Sequence, residues 1–99
     1  MASRVLIIDG DISLSTVLSD YLESRGYRSR AVSTGKEGLE ILKTEHWDIV
    51  LMDLQGVGMN GYELLKSIRH LLPQLPLIVL TPRSDREDQM RAFQLGCDD

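Results

Sequence analysis

Ninety-nine residues, 42% of them hydrophobic, suffice for one compact core and leave no room for a second domain. A formal net charge of -4, with Lys and Arg scattered rather than massed, argues against direct nucleic-acid binding. The apolar runs are strand-sized and fall short of the roughly twenty residues a membrane helix needs; the start Met1-Ala2-Ser3-Arg4 lacks signal-peptide character, and the lone Cys97 can make no internal disulfide, so no membrane association and a cytoplasmic location are expected.

Arg4 to Asp9 reads as a first strand, in which Val5-Leu6-Ile7-Ile8 closes on an acid. Leu14, Val17, Leu18, Tyr21 and Leu22 then recur at three-and-four spacing, which marks a first helix that Gly26 stops. Arg28 to Val32 is a short strand whose charges suit a sheet edge. Thr34-Gly35-Lys36-Glu37 has the form of a capping box and opens a short second helix through Leu39, Ile41 and Leu42. Asp48 to Asp53 contains the run Ile49-Val50-Leu51-Met52, fully apolar and therefore central. After a Gly56-Val57-Gly58 loop, Leu64, Leu65, Ile68, Leu71 and Leu72 mark the buried stripe of a third helix, ended by Pro73. Pro76 introduces a fourth strand, Leu77-Ile78-Val79-Leu80, and Thr81 follows it. Ser84-Asp85-Arg86-Glu87 is a second capping box, opening a fourth helix that carries Met90, Phe93 and Leu95 and stops near Gly96. This alternation predicts one α/β domain over residues 1–99, a parallel sheet with helices on both faces.

In such a sheet the functional crevice lies beyond the carboxyl ends of the strands. Two strands end in Asp9 and Asp53 and a third in Thr81, so two acids and a hydroxyl converge on one edge, an arrangement suited to accepting a phosphoryl group. The histidines, His46 and His70, lack metal-ligand company. Gly58 and Gly61 serve backbone geometry, and Trp47 and Tyr62 packing.

The run Val5-Leu6-Ile7-Ile8-Asp9-Gly10-Asp11, the strand end Leu51-Met52-Asp53-Leu54, the turn Gly58-Met59-Asn60-Gly61, Leu80-Thr81 and the end Gly96-Cys97-Asp98-Asp99, taken in order and at their spacing, resemble the receiver domain of two-component response regulators. The resemblance covers the entire chain. It implies a flavodoxin-like (CheY-like) doubly wound sheet of strand order 2-1-3-4-5, phosphorylation of Asp53, and Thr81 as the switch hydroxyl. A sensor histidine kinase or phosphotransfer protein would be the donor. Mg²⁺ would be the cofactor, held by Asp9, Asp53 and the backbone carbonyl of Gln55. Members of that family are signalling proteins that catalyse only their own phosphorylation and dephosphorylation.

The chain also departs from the family's pattern. Gly10 stands where the family has a second acid that coordinates the metal, and Asp11 is either a substitute ligand or the N-cap of the first helix. Pro82 follows Thr81 and lacks the N–H that commonly holds a phosphoryl oxygen. The family's fifth strand, its phosphate-pairing lysine and its fifth helix have no counterpart in the 99 residues. An apolar face beside the first helix is therefore expected to stand open, favouring self-association unless the chain is a shortened product. The alternative to a phosphorylated receiver is a degenerate one, acting as a phosphorylation-independent interaction module or as a homodimer through the exposed sheet face. A flavin-type cofactor binder ranks last, because Asp11 lies where a phosphate loop wants N–H donors.

Overall fold

The computed structural model describes residues 3–53, 58 and 60–80. The described elements alternate as β1 (Arg4–Ile8), α1 (Ile12–Ser24), β2 (Arg28–Val32), α2 (Gly35–Thr44), β3 (Ile49–Asp53), α3 (Gly61–Leu71) and β4 (Leu77–Leu80). The four strands form one parallel sheet in the order β2-β1-β3-β4. The expected fourth helix, from Ser84 to Gly96, lies outside the described residues.

Alternation along the strands divides the apolar side chains between two layers. Leu6 and Ile8 of β1, Val50 and Met52 of β3 and Leu77 of β4 join Leu42 of α2 and Leu64, Leu65 and Ile68 of α3 in the main core. The other face of the sheet carries α1. Its residues Ile49, Leu51, Ile78 and Leu80 are only half-buried.

Two strand boundaries move inward from the sequence expectation. β3 starts at Ile49 rather than Asp48, because the Asp48 carboxylate accepts the backbone N–H of Arg4 at 2.7 Å. That bond takes a donor of β1 at the point where the expected strand would begin. β1 ends at Ile8 rather than Asp9, although Asp9 still donates its backbone N–H to the Val32 carbonyl at 3.1 Å.

Helix ends follow the local chemistry. Asp11 caps α1 by accepting the Leu14 N–H at 3.1 Å. Thr34 caps α2, its hydroxyl oxygen accepting the Glu37 N–H at 3.2 Å and its O–H donating to the Glu37 carboxylate at 3.2 Å. Asn60 caps α3 through bonds from Tyr62 and Glu63. At the other end of α1, Gly26 at φ +89° lets its own N–H reach the Glu23 carbonyl while that of Tyr27 reaches Leu22. This αL glycine cap turns the chain directly into β2.

The apolar residues that mark α1 are unevenly covered. Leu14, Val17 and Tyr21 are 48%, 66% and 55% exposed, whereas Ser15 is buried and Leu18 and Leu22 are half-buried. α1 leans toward the β2 edge, where the Ser19 and Ser29 hydroxyls bond at 2.5 Å and Glu23 accepts the Ser29 N–H at 2.8 Å. Tyr21 and Leu22 border the open part of the sheet. A groove of about 700 Å³ runs there, lined by Tyr21, Leu22, Ile49, Leu51 and Ile78 among others, so the apolar face expected to stand open does so among the described residues. On α3, Leu64, Leu65 and Ile68 are buried as expected, but Leu71 is 38% exposed at the edge of the stripe beside α2.

Gly38 marks the tightest approach of a helix to the sheet. A Cβ at this position would lie 2.5 Å from Ile8 Cδ1 and 3.0 Å from Ile8 Cγ1, and Ile8 is fully buried. Overpacking of this kind costs about 1–3 kcal/mol, against the ~1 kcal/mol that alanine gains over glycine in a helix. Gly38→Ala is therefore expected to destabilise the fold by about 1 kcal/mol in urea denaturation. Ile8→Val removes the clashing methyl, so the double variant should be distinctly more stable than the two single effects added together. Strict additivity would show that Ile8 does not set the spacing.

Candidate functional site

The carboxyl ends of β1 and β3 carry the site. These two strands are the interior pair of the sheet, and both are apolar up to their last residue, so a polar group is tolerated only where the strand emerges. The register pairs Ile8 with Met52, and continuing it by one residue sets Asp9 beside Asp53. Adjacent strands lie about 4.8 Å apart, which brings two carboxylates to one rim. Asp53 also pairs with Leu80, the last residue of β4.

Asp9 is the more enclosed acid. It is 2% exposed, and its Oδ1 accepts the backbone N–H of Asp11 at 2.9 Å. Its Oδ2 is buried and has no hydrogen-bond partner among the described residues. A buried carboxylate oxygen is costly to leave without a donor or a cation, so this atom is where the structure asks for positive charge. Asp53 is half-buried and makes polar interactions of its own.

Asp11 has the capping role that was one of its two sequence readings. Its side chain accepts the Leu14 N–H and its backbone N–H orients Asp9, while the residue itself is exposed. Gly10 adds no ligand. Thr81 and Gln55, expected to supply a hydroxyl and a backbone carbonyl, lie outside the described residues. Gly58 has φ +78°, the backbone geometry expected of it, and a Cβ built there would come within 4.0 Å of Thr34, at the same edge of the sheet.

No group of three or more His, Cys, Asp or Glu side chains that could hold a metal occurs among the described residues. Two carboxylates on neighbouring strand ends do suit Mg²⁺, which takes one or two carboxylates and keeps several waters. The unpartnered buried Oδ2 of Asp9 fits the same ion. No described helix is long and apolar enough to cross a membrane.

The family model of the response regulator receiver domain matches residues 5–99. The chain belongs to this family. Among curated relatives, the cell cycle response regulator CtrA of Brucella ovis is 31% identical over 96 residues, covering 97% of this chain and 41% of that protein. This receiver domain thus spans about two fifths of the length of the curated relatives it matches. Of the solved structures, a response regulator from Chloroflexus aurantiacus superposes with a TM-score of 0.93 at 29% identity, covering all of this chain and 83% of that one. A CheY-like receiver from Methanospirillum hungatei gives 0.92 at 28%, covering 99% of this chain and 78% of that one. A response regulator from Burkholderia pseudomallei, solved with a phosphorylated aspartic acid, a calcium ion and citrate, gives 0.90 at 26% and covers 97% of this chain and 56% of that one.

Membership bears out the flavodoxin-like, CheY-like reading of the fold and the assignment to two-component signalling. Receiver domains generally bind Mg²⁺ at their phosphorylation site.

Sequence reasoning missed the cluster at the opposite end of the sheet. The Arg4 guanidinium stacks 4.2 Å from the centroid of the Trp47 ring, donates to the His46 carbonyl at 2.7 Å and pairs with Glu45 at 2.9 Å. An arginine before an apolar strand gives no hint of partners more than forty residues away.

Proposed function

We propose that this receiver domain accepts a phosphoryl group on Asp53 from a phosphohistidine of a sensor histidine kinase or phosphotransfer protein. The observation that carries the reading is the buried Asp9 carboxylate, one strand over from Asp53, with an oxygen that lacks a partner among the described residues. In the transfer a carboxylate oxygen of Asp53 forms a bond to phosphorus, the phosphorus–nitrogen bond of the donor breaks, and the electron pair leaves with the imidazole. Asp9 and Asp53, with the backbone carbonyl of Gln55, would hold Mg²⁺. When bound, this ion offsets the repulsion between the attacking carboxylate and the phosphoryl oxygens. Asp11 holds Asp9 in place through its N–H, and we keep its carboxylate as a cap rather than a ligand. Thr81 supplies the switch hydroxyl, and the setting is cytoplasmic. The phosphorylated aspartic acid in the Burkholderia structure supports the reading by similarity.

Beryllofluoride, which occupies the place of a phosphoryl group on a carboxylate, tests it. A bound fluorine signal in ¹⁹F NMR is expected with the wild type and Mg²⁺, and is expected to vanish without Mg²⁺ or in Asp53→Asn. A bound signal that survives Asp53→Asn would count against the assignment.

A second reading, an interaction module that works without phosphorylation, is favoured by the open groove beside α1 and the exposed Leu14, Val17 and Tyr21. It calls for a homodimer through the sheet face, seen as a molar mass that rises with concentration in unphosphorylated protein.

A further inference from the structure

β2 is the end strand of the sheet, so one of its two sides carries no neighbouring strand among the described residues. The parallel register decides which backbone groups face that side. Arg28 donates its N–H to the Ser3 carbonyl at 2.9 Å, and Val32 accepts the Asp9 N–H at 3.1 Å, so Arg28, Arg30 and Val32 turn their backbone groups toward β1. Alternation turns those of Ser29 and Ala31 outward. An outward row of N–H and C=O groups is a template for an added strand.

The charge of this edge selects what can add to it. Arg28 and Arg30 are both exposed, stand two residues apart, and share the sheet face of Arg4 and Leu6, their partners in register. Arg4 and Arg28 sit directly opposite each other, a placing of like charges that destabilises the pair unless an anion offsets it. Glu45 pairs with Arg4 at 2.9 Å and with Arg30 at 3.3 Å, while Asp48 accepts from the Arg4 backbone N–H and from His46. Arg28 makes no ion pair among the described residues. The edge is therefore short of carboxylates.

One acid from the neighbouring helix already lies on it. The Glu23 carboxylate accepts the Ser29 N–H at 2.8 Å and the Ser29 hydroxyl at 3.2 Å. Glu23 is exposed near the end of α1, so it covers the first outward donor in a form that another acceptor can displace, and Ala31 stays exposed. A second copy of β2 is a poor occupant, because its arginines would face these arginines.

We propose that the β2 edge binds an extended acidic segment of a partner protein as an added strand. The segment's backbone bonds to Ser29 and Ala31, and two carboxylates at alternate positions lie against Arg28 and Arg30. Glu23 competes for the Ser29 N–H and is released on binding. The surface uses neither Asp9 nor Asp53 and is independent of the reading of Asp53 as acceptor.

The test titrates the peptide acetyl-Thr-Glu-Val-Glu-Thr-amide, and the same peptide with lysine for glutamate, into the ¹⁵N-labelled full chain. With the acidic peptide, saturable shifts centred on the Ser29 and Ala31 amides are expected, and Ala31 gains protection from hydrogen exchange. The lysine peptide is expected to bind about tenfold more weakly, since two cross-strand pairs change from attraction to repulsion. Arg28→Glu is expected to abolish that preference, and Glu23→Ala, which frees the Ser29 N–H, to tighten binding of the acidic peptide. Both positions are exposed, so the fold is retained. No saturation at millimolar acidic peptide, shifts centred away from β2, a preference that survives Arg28→Glu, or no tightening in Glu23→Ala overturns the proposal. So does a molar mass that rises with concentration while the Ser29 and Ala31 amides shift without peptide, which would make a second copy the occupant.

Discussion

Asp9→Asn is expected to slow Mg²⁺-dependent phosphorylation of Asp53 by about a hundredfold or more, with weaker Mg²⁺ binding and no loss of folding stability. The kinetic part rests on charge. Removing one of two carboxylates halves the anionic ligand set, and two unit charges about 4 Å apart interact by roughly 4 kcal/mol at an effective dielectric near 20, enough to change a rate by orders of magnitude. The stability part rests on burial. Asp9 is 2% exposed with an Oδ2 that has no partner among the described residues, and a neutral amide costs less to bury than an ionised carboxylate. Asparagine also keeps an oxygen to accept the Asp11 N–H, which the acid accepts at 2.9 Å. Thermal melting without Mg²⁺, beside acetyl phosphate kinetics with it, separates the two effects. A variant that loses activity only because it unfolds would show Asp9 to be structural.

The largest stability effect is expected at Leu65. This residue is fully buried in the layer where α3 packs on the sheet, in one cluster with Leu6, Met52 and Ile68. Leu65→Ala should cost about 2–5 kcal/mol, the methyl groups lost plus the cavity left behind. For a domain of this size that is a large share of the roughly 5–15 kcal/mol that holds a fold together. The urea midpoint, followed by the fluorescence of Trp47 in the same cluster, should fall with the slope unchanged. Leu71→Ala is the internal contrast. Leu71 is 38% exposed at the edge of the same helix, and its loss should stay near 0.5 kcal/mol. Similar costs at the two positions would contradict the packing described for α3.

Much of this architecture was legible in the sequence because periodicity reports elements directly. The runs ending in Asp9 and Asp53 had to be central strands, and their acids had to emerge at the same rim of a parallel sheet. The charged Arg28 and Arg30 likewise marked β2 as an edge, which it is. What periodicity does not report is which layer covers an amphipathic face. The spacing of Leu14, Val17 and Tyr21 marked a helix but did not say that all three would stand exposed while Leu18 and Leu22 are half-buried. The boundary at Asp48 shifted because its side chain takes a backbone donor from Arg4, forty-four residues earlier in the chain. Long-range polar contacts of this kind leave no trace in spacing, and the Arg4–Trp47 stack was invisible for the same reason. At the site itself, the acids were legible and the state of their oxygens was not. The sequence already offered Asp11 as the N-cap of α1, and only the geometry showed that its backbone N–H also holds Asp9.

The measurement that bears most directly on the account is intact mass after incubation with acetyl phosphate, with and without Mg²⁺, for the wild type and Asp53→Asn. A gain of one phosphoryl group in the wild type that requires both Mg²⁺ and Asp53 is the predicted result. No gain in folded wild type with Mg²⁺ present, or an equal gain in Asp53→Asn, would contradict the assignment of Asp53 as the phosphoryl acceptor.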